Sequence, residues 1–143
     1  MYKEVIGPEA TGYLATKPTM IITTLHEPGI INAGVFGAYT NLSPTQIGIA
    51  IATSSHTYDN IIRTGEFTIN IPSAECATAV EFIFDKELPI GHHNFVTGKV
   101  KGGWIKEEFL DADGKIDIFK AKVFKDFKYP KPLYVLAGEV IEG

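Results

Sequence analysis

The sequence contains one cysteine, Cys76, and one tryptophan, Trp104. A lone cysteine cannot close an internal disulfide, so the chain is not stapled in the way small secreted domains are. Its neighbours Ala74, Glu75, Ala77 and Thr78 supply neither a cation nor a base to lower the thiol pKa, which points to a structural thiol rather than a nucleophile. Long hydrophobic runs are missing as well. No stretch approaches the about 20 apolar residues that cross a bilayer, and Met1-Tyr2-Lys3-Glu4-Val5 has mixed charge and no apolar core, so no membrane association and a cytoplasmic location are expected. Positive charge is not in excess either. The 13 Lys and Arg against 17 Asp and Glu give a net charge of -4, and the basic residues are scattered, which removes nucleic acid from the expected partners. Repeats, linkers and low-complexity tracts are also lacking.

What is present is a globular composition, 45% hydrophobic and 21% charged over 143 residues, which fits a single domain spanning residues 1–143. Much of the chain reads as short strands. Thr19 to Leu25 is rich in Thr and Ile, and Pro28-Gly29 supplies a tight turn before Ile30-Ile31-Asn32, which predicts a hairpin. From Gln46 to Thr53, Ile47, Ile49 and Ile51 alternate with Gly48, Ala50 and Ala52, so one strand face is large and apolar and the other has room for something to lie against it. Tyr58 to Thr64 predicts a short helix stopped by Gly65, and Glu66 to Ile71 returns to alternation. Ala77, Val80, Glu81 and Phe84 stand at helical spacing, predicting a helix over Ala74 to Phe84 with Ser73 as its N-cap. Gly98, Gly102, Gly103 and Asp113-Gly114 mark turns, and Ile116 to Val123 and Leu133 to Ile141 read as late strands. Many short strands with one or two helices predict a mainly β fold, a β-barrel.

Two stretches have the makings of a site. Ala52-Thr53-Ser54-Ser55-His56-Thr57 lies between a predicted strand and a predicted helix, where unpaired amides, a partial positive charge and hydroxyls suit a phosphate; a capped turn without a ligand has the same sequence. In Asn32 to Pro44, the small residues Ala33, Gly34, Gly37 and Ala38 let a flat ring approach the main chain, with Thr40 and Asn41 as side-chain partners. Glycines packed against another backbone would read alike. No metal site is expected: His92 and His93 are adjacent and point to opposite faces of a strand, and His26 and His56 share no ligand spacing with them or with Cys76. His56 stands beside the candidate phosphate site. Phe36, Tyr39, Trp104 and Tyr129 are able to stack on a ring, with core the expected place for Trp104.

Taken together, Thr19-Met20-Ile21-Ile22-Thr23-Thr24, Asn32-Ala33-Gly34-Val35-Phe36, Leu42-Ser43-Pro44, Thr57-Tyr58-Asp59-Asn60-Ile61 and Gly65-Glu66-Phe67-Thr68-Ile69-Asn70 resemble, in order and spacing, the flavin reductase-like, flavoredoxin-type family. Ala137-Gly138-Glu139-Val140 resembles its final barrel strand. The resemblance implies a split β-barrel homodimer with FMN near the subunit interface. By residue-level carry-over, the main chain around Asn32, Gly34, Val35 and Phe36, and around Thr40, Asn41 and Leu42, would hold the isoalloxazine. Thr53, Ser54, Ser55, His56 and Thr57 would hold the phosphate. It implies an oxidoreductase moving electrons between NADH or NADPH and flavin or a protein acceptor. A non-catalytic flavin carrier and a pyridoxamine-phosphate-oxidase-like enzyme are the alternatives, and no residue takes a catalytic assignment. The sequence departs from the family at Lys131-Pro132-Leu133, where many reductases carry Gly-Asp-His, and at Gly37, where a Ser is common. It is also shorter than most members after the last strand. The missing histidine predicts slow NAD(P)H oxidation.

Overall fold

The structure, a computed structural model, describes residues 17–72, 78–121, 124–127 and 133–136. In chain order the elements are β1 (Lys17–Pro18), β2 (Met20–Glu27), β3 (Ile30–Phe36), β4 (Tyr39–Ser43), β5 (Gln46–Ala52), α1 (His56–Thr64), β6 (Glu66–Ile71), β7 (Thr78–Ile90) and β8 (His93–Ile105). A 3-10 turn at Glu107–Phe109, a one-turn helix α2 (Ile118–Ala121), β9 (Phe124–Phe127) and β10 (Leu133–Leu136) follow. Seven strands form one antiparallel sheet in the order β3-β2-β6-β7-β8-β5-β4, and β1-β9-β10 form a second.

The order of the large sheet fixes its shape. Its two edge strands, β3 and β4, are consecutive in sequence and joined only through Gly37 and Ala38. Laid flat, seven strands about 4.8 Å apart would separate those edges by nearly 30 Å, whereas the link from Phe36 to Tyr39 reaches at most about 10 Å. The sheet must therefore curl, bringing the Phe36 end of β3 and the Tyr39 end of β4 together and leaving the rest of the two edges apart as an open seam. Helix α1 contacts β2 and β3 on one side and β5 on the other, and so lies across that seam. The core inside consists of Met20, Ile22, Ile47, Ile49, Ile51, Ile61, Phe67, Ile69, Phe82 and Val96.

Local patterns account for most of these elements. In β2, Met20, Ile22 and Thr24 are buried while Leu25 is exposed, and Gly29 takes the turn into β3 at φ 81°. In β5 the large face turns inward as expected, but the small face is already covered. The ring of Phe95 lies where a Cβ on Gly48 would be, so its occupant belongs to the chain itself. Ser55 caps α1 by accepting from the Tyr58 amide at 3.2 Å, and Gly65, at φ 73°, ends it by donating to the Ile61 carbonyl.

Four sequence expectations change. Residues 78–84, read as part of a helix over Ala74 to Phe84, belong to β7, and positions 73–77 with Cys76 lie outside the described residues. Val80, Phe82 and Phe84 turn toward the core with period two, and β6 and β8 on either side satisfy the backbone. Gly98, Gly102 and Gly103 lie within β8 rather than at turns; a Cβ at Gly98 would meet the Phe67 ring, which stacks on Phe82 at 5.2 Å. Of the range Ile116 to Val123, read as a strand, the described residues 116–121 hold a bridge, Ile116 to Leu110, and then α2, whose Lys120 amide donates to the Asp117 carboxylate; positions 122 and 123 lie outside the described residues. The late strand begins at Leu133 as read and is described to Leu136. Trp104, expected in the core, is 60% exposed on β8.

Candidate functional site

The segment 53–55 leaves β5 and turns into α1 at one end of the curled sheet. Its backbone hydrogen bonds can be followed one by one. The Thr53 amide donates to the His92 carbonyl at 3.4 Å, the Ser55 amide to Ala52 at 3.0 Å, and the Asp59 amide to Ser55 at 3.2 Å. The amides of Ser54, His56 and Thr57 have no protein partner among the described residues. Three unpaired donors at the start of a nine-residue helix, where the macrodipole adds partial positive charge, are suited to an anion.

The side chains divide between two tasks. Thr53, Ser54 and His56 are exposed at the loop. Ser55 is committed to the cap, and its hydroxyl also donates to the Ala52 carbonyl at 2.8 Å. Thr57 is only 3% exposed and turns inward, where its Oγ1 accepts from Asn32 Nδ2 at 2.9 Å. The five residues assigned to the phosphate therefore lie together, with two hydroxyls aimed elsewhere.

Asn32, Gly34 and Phe36 share the inward side of β3, facing α1 and the core, while Val35 is 64% exposed on the other side. Gly34 is small for an internal reason: a Cβ there would come within 2.8 Å of the Phe36 ring and 3.3 Å of Thr57 Oγ1. Thr40, Asn41 and Leu42 are exposed on β4, across the seam, while Tyr39 and Phe36 pack against the core. Because β3 is a sheet edge, one row of its backbone N–H and C=O groups has no strand partner among the described residues; β4 is the other edge strand. The structure sets the start of α1 against Asn32 and Gly34 of β3, while Thr40, Asn41 and Leu42 lie on β4, which is not among the strands that α1 mainly contacts.

Around α1 lies a polar network that spacing alone does not reveal. Asn60 Nδ2 donates to Thr24 Oγ1 at 3.0 Å, and Asn60 Oδ1 accepts from Arg63 Nη2 at 3.1 Å and lies 3.3 Å from His26 Nδ1. Arg63 also donates to the carbonyls of Leu25 and His26. The His26 ring meets that of His56 edge to face, centroids 5.1 Å apart. On the opposite flank the Tyr58 phenol donates to Glu87 at 2.8 Å, and Asn94 Nδ2 donates to both. The hydrogen bond to the Glu87 carboxylate, with partial desolvation adding to it, raises the phenol above its ordinary pKa; the donation from Asn94 acts against it. These partners stand 29 and 36 residues from Tyr58, too far apart for any local signal to link them.

A separate concavity of about 230 Å³ opens on the outer face of the sheet, with Thr23, Leu25, Ile31, Thr68, Glu81 and Lys101 among its lining residues. None of the residues selected from sequence borders it. Lys101 pairs there with Glu66 at 2.9 Å.

A family model, Flavin reductase like domain, matches residues 13–86, just over half of the chain. The chain belongs to the flavin reductase-like family. Solved structures place its fold among the same split barrels. Flavoredoxin from Methanosarcina acetivorans is 17% identical with a TM-score of 0.87, covering 100% of this chain and 95% of that one. Flavoredoxin of Desulfovibrio vulgaris (Miyazaki F) is 18% identical with a TM-score of 0.86, covering 99% and 97%. An FMN-binding protein from Thermus thermophilus, with 1-cyclohex-2-enone bound, is 14% identical with a TM-score of 0.78, covering 100% and 98%. The flavin reductase-like chain thus has the mainly β, split-barrel architecture expected from its sequence. Among its described residues, no helix is long and apolar enough to cross a membrane.

Proposed function

We propose that the chain is an FMN-binding oxidoreductase, acting as one domain and pairing as a homodimer. In this reading it passes electrons between NADH or NADPH and flavin, or to a protein acceptor. The observation that carries the reading is the set of unpaired amides at Ser54, His56 and Thr57 beside exposed Thr53 and Ser54, next to the open edge of β3. The donor set fits a phosphate ester, and family membership supplies the flavin. FMN, the flavin that carries one phosphate, suits both, and the likeness in fold to the FMN-binding protein from Thermus thermophilus adds support.

In this reading the chain binds and orients, while a bound flavin supplies the redox chemistry. The α1 amides and the hydroxyls of Thr53 and Ser54 take the phosphate. The main chain around Gly34, Val35 and Phe36, and around Thr40 to Leu42, reads the ring edges. Flavin titration followed by fluorescence tests the assignment. FMN should bind at least about tenfold tighter than riboflavin, because one charge-assisted hydrogen bond contributes about 1.5–3 kcal/mol, and light scattering of the loaded protein should give twice the chain mass. Equal affinity for the two flavins would sink the phosphate site.

A further inference from the structure

Thr57 was selected from sequence as one of five phosphate residues, yet its side chain has another partner. It is 3% exposed, and its Oγ1 lies on the underside of α1, 3.3 Å from where a Cβ on Gly34 would stand. There it accepts from Asn32 Nδ2 at 2.9 Å. The same Asn32 nitrogen lies 3.5 Å from Thr24 Oγ1, which is itself held by Asn60 at 3.0 Å. The amide nitrogen of Asn32 is thus occupied by two threonine hydroxyls. Its Oδ1 is left without a protein partner among the described residues, on a half-buried side chain of the edge strand.

We infer that Thr57 is a positioning residue for the ring side of the flavin site: it holds the Asn32 amide so that Oδ1 faces the ligand as an acceptor for a ring N–H. The inference rests on the FMN reading above and refines it. The first turn of α1 then does two separate jobs. Its amides face outward to the phosphate, while the Thr57 hydroxyl faces inward and sets a side chain on β3. The physical reason is orientational. A half-buried amide can present either its oxygen or its nitrogen, and a fixed acceptor on one end selects which. Without the Thr57 oxygen, the Asn32 N–H is left unpaired or turns toward the ligand, placing a donor where an acceptor is required.

The two roles make opposite predictions for riboflavin, which has the ring but no phosphate. Thr57→Val keeps the shape and removes the oxygen. A positioning role predicts that riboflavin and FMN affinities both fall, by the same factor of roughly fivefold, the worth of one hydrogen bond. Thr57→Ser, which retains the hydroxyl, should restore both. In an Asn32→Ala background Thr57→Val should change neither affinity further, since the effect passes through Asn32. Should the valine variant not fold, Thr57→Ala removes the same oxygen without placing a methyl against Asn32, and the same comparison applies. Loss of FMN affinity with riboflavin unchanged would overturn the inference and return Thr57 to the phosphate, leaving the proposed function standing. A full further loss in the Asn32→Ala background would overturn it too. Failure of the unaltered chain to bind either flavin would overturn the proposed function and this inference together.

Discussion

At the scale of single residues, side chains distant in sequence decide what a small residue is for. The alternation of Gly48, Ala50 and Ala52 is plain in the sequence, and so is the burial of the facing isoleucines. The occupant of the small face was not legible, because Phe95 arrives from β8, 47 positions later. Gly34 is a second example: a side chain there would meet the Phe36 ring and Thr57, whatever else lies against its main chain. This makes a measurable prediction. Gly48→Ala puts a methyl into the Phe95 ring and should destabilise the fold by about 1–3 kcal/mol, the usual cost of overpacking. In a Phe95→Leu background the added cost should shrink, because the smaller side chain leaves room. Denaturant midpoints for the four proteins of this cycle would measure it. A full penalty in both backgrounds would mean that Phe95 is not what the methyl meets.

At the scale of elements, legibility followed how local the signal was. Helix α1 announced itself because its cap and stop are residues within it or beside it, Ser55 and Gly65, and the structure uses both. The strand β7 did not, since Ala77, Val80, Glu81 and Phe84 satisfy a helical spacing while Val80, Phe82 and Phe84 also satisfy an alternating one. What decided between them was tertiary: β6 and β8 offer hydrogen bonds on both sides of that segment. The β8 glycines misled for a similar reason, as Gly98 accommodates the ring of Phe67, 31 residues earlier. The candidate site lay where local signals were strong, so its two stretches could be chosen, but the inward turn of Thr57 could not. For α1 the expectation is that Ser55→Ala costs about 1 kcal/mol, because the Tyr58 amide loses its acceptor. Chemical denaturation would read the loss. A variant as stable as the unaltered protein would show that the cap contributes nothing to α1.

At the scale of the whole molecule, a resemblance spread over separated motifs carried the architecture further than periodicity did, since no local pattern states that β3 and β4 are opposite edges of one sheet. It also sets the expectation for turnover. Lys131-Pro132-Leu133 stands where related reductases carry a histidine, with positions 131 and 132 outside the described residues and only the backbone of Leu133 within them. On the proposed function, stopped-flow mixing of the FMN-loaded protein with NADPH should show reduction well below ~10 per second, a typical enzymatic rate, while FMN affinity is intact. Reduction at or above that rate would remove the histidine from consideration. The seam has a further consequence, in time rather than in space. The β2–β3 and β7–β8 pairs are hairpins that close locally, whereas β5 must find β8, from Gln46 opposite Lys99 to Ala52 opposite His93, across the whole of α1, β6 and β7. Until β8 has formed, β4 and β5 have only each other, and a lone pair of strands is marginal in water. On loop-closure grounds the local hairpins, β4–β5 among them, are expected to close before β5 unites with β8 across the long stretch of chain between them, the union that curls the sheet.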